Sequence, residues 1–295
     1  MIDLHSHTYL SDGELSPEAL VARAQQLGVR QLAITDHDSI AAHRRLAPLA
    51  LDGNGDGLTL LSGVEISAHW EGREIHIVGL LFDLDNPPLN VLLSRQQALR
   101  HERAQDIARQ LDKTGITGLM TYLAQLPCES VGRSHIAGFL VDAGHVGSKQ
   151  QAFSKYLGKR GRLQSSIPWC SMGDAVNVIR EAGGISVLAH PDRYAFNRAR
   201  LRRLLAEFAQ CRGDALEVSY SNLHPEKLAM LGTLATEAGL WASVGSDFHT
   251  PDNSWMDLGR IRQLPAACAD RAIWYHPRWC AELPANVPAV SGQGM

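Results

Sequence analysis

The chain has 295 residues, a formal net charge of −3 and a hydrophobic share of 45%. That length and composition suit one large or two modest globular units, and they exclude a disordered, collagen-like or coiled-coil chain. No apolar run approaches the roughly 18 residues of a membrane span, and the opening Met1-Ile2-Asp3-Leu4-His5 lacks the basic and apolar regions of a secretory signal.

In chain order, residues 1–6 read as a first strand. A helix follows, with Ser16 as its cap, Pro17 in its first turn and Gly28 just past its end. Strands are predicted at 31–35, 59–66 and 74–82. From 86 to 170 no strand signal intervenes. Leu89, Leu92, Leu93, Leu99, Ile107 and Leu111 recur at helical spacing and predict a helix over 89–112, with further helical segments at 134–144 and 148–158. Strand and helix then alternate again: a helix at 173–182 before Gly183, strands at 184–189 and 214–220, a helix at 225–238 before Gly239, and a strand at 240–246. The tail after 284 is expected to be loosely ordered. Seven strands with helical crossovers predict an α/β fold, a TIM-like barrel whose reactive residues sit at the C-terminal strand ends. Its two portions, 1–85 and 171–295, are expected to flank an inserted helical domain over 86–170.

The charge is unevenly placed. Residues 86–170 hold 11 Lys and Arg against 5 Asp and Glu, while the rest of the chain holds 17 against 26. The insert is built to meet anions and the barrel to hold cations. Five cysteines, at 128, 170, 211, 268 and 280, form no CxxC pair, so a reducing cytoplasm is expected.

The strand ends carry the chemistry. His5 and His7 stand two apart, so on a strand both imidazoles face one side. Asp36-His37-Asp38, Glu65, His76, His190 and Asp247-Phe248-His249 close other strands. Seven of the 13 histidines (5, 7, 37, 76, 135, 190 and 249) fall at such positions. Converging imidazoles and carboxylates carry a heavy desolvation cost unless cations hold them, so metal is the economical reading. Two other signals are set aside. Asp52-Gly-Asn-Gly-Asp56-Gly57 begins like a calcium loop, but Gly63 stands where the closing Glu is required. Lys155-Tyr-Leu-Gly-Lys159-Arg160-Gly-Arg162 reads as a solvated basic face. Arg100 and Arg103 lie three apart on one helix face, and Arg133 and Ser134 precede His135, so all four are candidate phosphate contacts. Asn222 and His224 are further pocket candidates.

Asp3-Leu-His5-Ser-His7-Thr8, Ser11-Asp12-Gly13, Thr35-Asp36-His37-Asp38, Gly63-Val-Glu65, His76, Ala189-His190-Pro191 and Gly245-Ser-Asp247-Phe-His249 resemble, in order, the motifs of the PHP (polymerase and histidinol phosphatase) superfamily. With Gly132-Arg133-Ser134-His135, the resemblance extends to its subgroup of 3′,5′-nucleoside bisphosphate phosphatases, also described as 5′→3′ exoribonucleases. It implies a distorted (β/α)7 barrel with three divalent metals, manganese first and iron or zinc open. The first metal would take His5, His7, Glu65 and Asp247. Glu65 would bridge to a second, held by His76 and His135, and the third would take Asp12, His37 and His249. His190, as ligand or phosphate contact, and Asp12 are the candidate catalytic residues.

The reading that follows is a phosphoesterase cleaving the 3′-phosphate of a small nucleotide, by a hydroxide that the cations make available near neutral pH. The insert would hold the 5′-phosphate with Arg100, Arg103 and Arg133. Three alternatives stay open: an exonuclease on short 5′-phosphorylated RNA, a histidinol phosphate phosphatase, and a non-catalytic metal-stabilised module. No membrane and no obligate protein partner is expected.

Overall fold

The computed structural model describes residues 1–47, 57–158 and 161–283. The calcium-like run from Asp52 to Asp56, Lys159-Arg160 and the tail from 284 on lie outside the described residues.

Among the described residues, nine strands form two sheets. The first is parallel and holds β1 (Ile2–Asp3), β2 (Gln31–Ala33) and β3 (Thr59–Leu61). The second holds β4 (Gly63–Trp70), β5 (Arg73–Leu80), β6 (Cys170–Ser171), β7 (Ile185–Leu188), β8 (Ala215–Ser219) and β9 (Trp241–Val244), in the order β6-β4-β5-β7-β8-β9. Isolated parallel bridges connect the sheets, Ser6 to Phe248 on one side and His37 to Glu65 on the other.

The predicted strand 59–66 is two strands. A Cβ at Gly63 would lie 2.6 Å from the Ile34 carbonyl oxygen, so only glycine lets the chain pass this close to β2 as it changes sheets. β5 runs antiparallel to both β4 and β7, a departure from uniform βα alternation. The β4–β5 connection is a two-residue hairpin, Glu71-Gly72, with both φ values positive, as the primed turns require. β7, β8 and β9 are parallel; β7 and β8 are buried throughout, as strands covered on both faces must be.

The capped helices form where expected. α1 (Pro17–Gln26) starts at Ser16, whose side chain accepts from the Ala19 N–H, and it ends before Gly28 at φ +76°. α7 (Met172–Glu181) and α9 (Pro225–Glu237) pack on the second sheet's core, as do α8 (Arg198–Gln210) and the first part of α3 (Pro87–Asp112). α3 has 26 residues, about 39 Å of helix. Leu89 and Leu93 enter the sheet's core, whereas Ala104, Ile107 and Leu111 enter a second core with α5 (Arg133–Asp142) and Leu157. Between the two cores the buried stripe of α3 is polar, at Gln96 and Arg100. The segment expected to be helical over 148–158 is a short α-helix, Lys149–Ala152, that loosens into a π-helical turn, Phe153–Leu157. No helix among the described residues is long and apolar enough to cross a membrane.

Candidate metal centre

Four of the strands deliver their charged residues just beyond their ends. β1 leads to His5 and His7, β2 to Asp36 and His37, β7 to His190, and β9 to Asp247 and His249. Glu65 and His76 stand within β4 and β5. Asp38, His190 and Asp247 adopt φ values of +49°, +28° and +54°. Non-glycine residues rarely do so, and such strain concentrates where surrounding structure holds a site in place.

Glu65 is the hub. Its carboxylate lies 3.3 Å from both His5 Nε2 and His7 Nε2, 3.0 Å from His37 Nδ1, 2.8 Å from His76 Nδ1 and 2.9 Å from His190 Nε2. Asp247 Oδ1 stands 3.5 Å from His5 Nε2 and 3.2 Å from His7 Nε2. On the far side of His7, Asp12 Oδ1 is 3.2 Å from His249 Nε2 and 3.7 Å from His37 Nε2. Asp36 fixes the loop that carries Asp12, accepting from the Thr8 N–H at 2.7 Å and the Ser11 hydroxyl at 2.6 Å.

Charge runs through this cluster in both signs. Burial pushes the Glu65 carboxyl up, but His37, His76 and His5 outweigh it and hold it well below its usual range. Asp12 is held down in the same way by His249 and His37, and Asp247 by Arg193 and His5. Burial opposes protonation of His7 and His76. Nearby carboxylates, Asp247 and Glu65 for His7 and Glu65 and Glu74 for His76, nevertheless raise both to about 10. For His37, His135 and His190 burial wins, and their pKa values fall. Without metal, protons on histidine balance these carboxylates.

The residues fit divalent cations. His5 Nε2, His7 Nε2, Asp12 Oδ1, His37 Nδ1, Glu65 Oε2 and His190 Nδ1 are buried with no hydrogen-bond partner. Buried polar atoms are rarely left so. Three groups gather donor atoms within 4.8 Å of one another: His7, Asp12, His37 and His249; His5, His7 and Glu65; His37, Glu65 and His76. Imidazole and carboxylate without thiolate suit manganese, iron or zinc.

These groups match the expected sets in part. Asp12, His37 and His249 come together, with His7 added. His5, His7 and Glu65 come together, and Asp247 stands beside them. His135 does not join His76. Its Nδ1 accepts from the Gly132 N–H at 3.0 Å, capping α5 from within, and the histidine grouped with Glu65 and His76 is His37.

A cavity of about 670 Å³ runs from the cluster to the insert, lined by His76, His190, Arg103, Arg133, Ser134 and Trp169 among others. Here several expectations are corrected. Arg100 lines the cavity, but its guanidinium is bonded to Asp38 at 2.6 Å, the Ser67 hydroxyl at 2.8 Å and the Val131 carbonyl at 3.0 Å. It ties α3 and the segment before α5 to the strand ends and has few donors left for a ligand. Arg103 bonds the Ile167 carbonyl and lies 4.2 Å over the Trp169 ring. Arg133 is half exposed and bonds Glu74 at 2.8 Å, while the Ser134 hydroxyl donates to Asp12 at 2.9 Å. Asn222 and His224 do not line the cavity. Asn222 is an exposed loop residue at φ +59°, and His224 caps α9.

Three residues escaped the sequence reading. Glu217 accepts from His5 Nδ1 at 2.9 Å and from the His190 N–H at 2.6 Å. Arg193 bonds the second oxygen of Asp247. Glu74 meets His76, Arg103 and Arg133. A buried charge between Leu216 and Val218 was the available signal for Glu217.

The family pattern described as PHP domain matches residues 3–218. The 5′-3′ exoribonuclease Rnm of Escherichia coli (strain K12) is 46% identical over 277 residues, which cover 92% of either chain. A 3′,5′-nucleoside bisphosphate phosphatase of Chromobacterium violaceum is 38% identical over 278 residues, covering 92% of this chain and 95% of the relative. Among solved structures, an amidohydrolase from Chromobacterium violaceum, with bound sulfate and no metal, superimposes at a TM-score of 0.84 with 36% identity. That match covers 92% of this chain and 94% of the other.

Proposed function

The chain belongs to the PHP domain family and is a metal-dependent phosphoesterase of it; on that premise we propose that it hydrolyses the 3′-phosphate of nucleoside 3′,5′-bisphosphates. One observation carries the reading. A cavity joins the histidine–carboxylate cluster to Arg103 and Arg133, which supports a reacting phosphate at the cluster and a retained one at the arginines. Its volume, about 670 Å³, lies in the range of small-ligand sites. The reading takes the two sheets as parts of a distorted seven-stranded barrel and residues 86–170 as the unit that holds the substrate. It includes three divalent ions, manganese first, and a reducing cytoplasm that suits five free cysteines.

Divalent ions held by His5, His7, Asp12, His37, Glu65, His76, Asp247 and His249 would supply an acidified water and neutralise charge on the phosphoryl oxygens. The chain's own groups do the rest. Glu217 fixes His5 through Nδ1, so that Nε2 turns toward Glu65. His190 is kept neutral by burial and donates from Nε2 to Glu65. Its unpartnered Nδ1 is then a proton acceptor. Arg133 and Arg103 offer guanidinium donors to the 5′-phosphate, as forks suited to phosphate oxygens.

The relative at 46% identity favours a second reading, a 5′→3′ exoribonuclease acting at the same site. Phosphate and nucleotide release from manganese-loaded protein tests both. Each charge-assisted bond to phosphate contributes on the order of 1.5–3 kcal/mol, so a 3′,5′-bisphosphate should exceed a 3′-monophosphate in kcat/KM by about two to four orders of magnitude. Equal rates on the two would remove the assignment. Faster turnover of short 5′-phosphorylated RNA would put the exonuclease first.

A further inference from the structure

Glu74 stands where the proposed mechanism gives it no part. It lies on β5 two residues before His76, hence on the same face. Its carboxylate collects donors from both sides of the cavity. Oε1 is 2.8 Å from an Arg133 nitrogen and 3.3 Å from His76 Nε2, and Oε2 is 3.7 Å from an Arg103 nitrogen. Trp169 brings its buried indole N–H to the same carboxylate, on a ring covered by the Arg103 guanidinium. A carboxylate needed only to orient His76 requires none of the other three. Two guanidinium groups and an indole N–H gathered on one anion have the composition of a phosphate seat.

We propose that the Glu74 carboxylate occupies, in the ligand-free chain, the seat of the substrate's uncleaved phosphate, and that it sets how tightly this seat takes an anion. The proposal rests on the reading that Arg103 and Arg133 hold that phosphate. With Arg100 bonded to Asp38, these two are what remains of the three candidate arginines of the segment 86–170. Glu74 offsets one of their two positive charges. An incoming phosphate must displace the carboxylate or bind beside a like charge. Either way binding is weaker than two free arginines would give, and the nucleotide left after cleavage is held less firmly.

The test is calorimetric binding of 5′-AMP, and separately of inorganic phosphate, to the full chain kept metal-free with chelator at fixed neutral pH. Loss of one adjacent like charge should tighten binding of 5′-AMP by Glu74→Gln about tenfold or more over the unsubstituted chain. Glu74→Ala, which leaves no amide to take part, should tighten it as well. Arg133→Ala should weaken it by a similar factor. If Arg133→Ala weakens binding while both Glu74 variants bind as before or more weakly, the inference is overturned and the phosphate reading of the arginines stands. If Arg133→Ala leaves binding unchanged, that reading falls and the inference with it.

Discussion

Arg100→Met separates a structural arginine from a substrate-binding one. Arg100 is 6% exposed and Asp38 is fully buried, with their charged atoms 2.6 Å apart. Removing one partner of a buried pair costs about 3–5 kcal/mol, because the other charge is left uncompensated. Asp38 would keep two donors, the Ser67 N–H at 2.8 Å and the Gln96 amide at 3.1 Å. That places the expected loss near the lower end, about 3 kcal/mol. Urea unfolding of the metal-free chain measures it. The double variant with Asp38→Asn should recover part of the loss, since it removes the stranded charge; the cycle then reports coupling directly. The substrate reading makes the opposite forecast. A stability change under about 1 kcal/mol, with a tenfold rise in KM for the bisphosphate alone, would refute the structural assignment.

A Cβ on Gly245 would collide with His5 Cβ, lie 2.8 Å from the His5 nitrogen and 3.0 Å from Glu217. Gly245→Ala should therefore displace His5 and cost about 1–3 kcal/mol in unfolding, with a drop of about a hundredfold in kcat. Wild-type manganese affinity and rate in this variant would show that His5 does not need its present place. Because His7 and His76 titrate near 10 in the metal-free chain, they carry protons at neutral pH that a cation must release. Manganese affinity should therefore rise steadily from pH 6 to pH 8 with measurable proton release; an affinity flat across that range contradicts the assignment. His224→Ala and Asn222→Ala should leave kcat/KM within about twofold, as neither residue lines the cavity. A tenfold loss from either would place a second binding surface beyond β8.

The strand ends were legible because charge interrupts apolar runs there, and α1, α7 and α9 because Ser16 and the glycines at 28, 183 and 239 punctuate the helices. What stayed hidden depends on distance in sequence. Glu217 meets His5 across 212 positions, so no local pattern ties them. The division at Ser62–Gly63 is a matter of which neighbour each half pairs with, and both halves read as strand. Arg100 read as a phosphate contact because it is charged and shares a helix face with Arg103. Its place in the buried stripe Leu89, Leu93, Gln96, Arg100, Ala104 was visible as spacing, and polar residues there mark where α3 crosses the site. His135 sits in the right motif, yet its Nδ1 goes to the helix's own N-terminus, a local competitor that spacing does not reveal.

Elemental analysis tests the multinuclear metal centre at the strand ends most directly. Three donor groups sharing His7, His37 and Glu65 predict close to three manganese ions per chain after loading and desalting. His7→Ala, which breaks two of the groups, should remove at least one. A content of one ion or none in the unsubstituted chain would contradict the account.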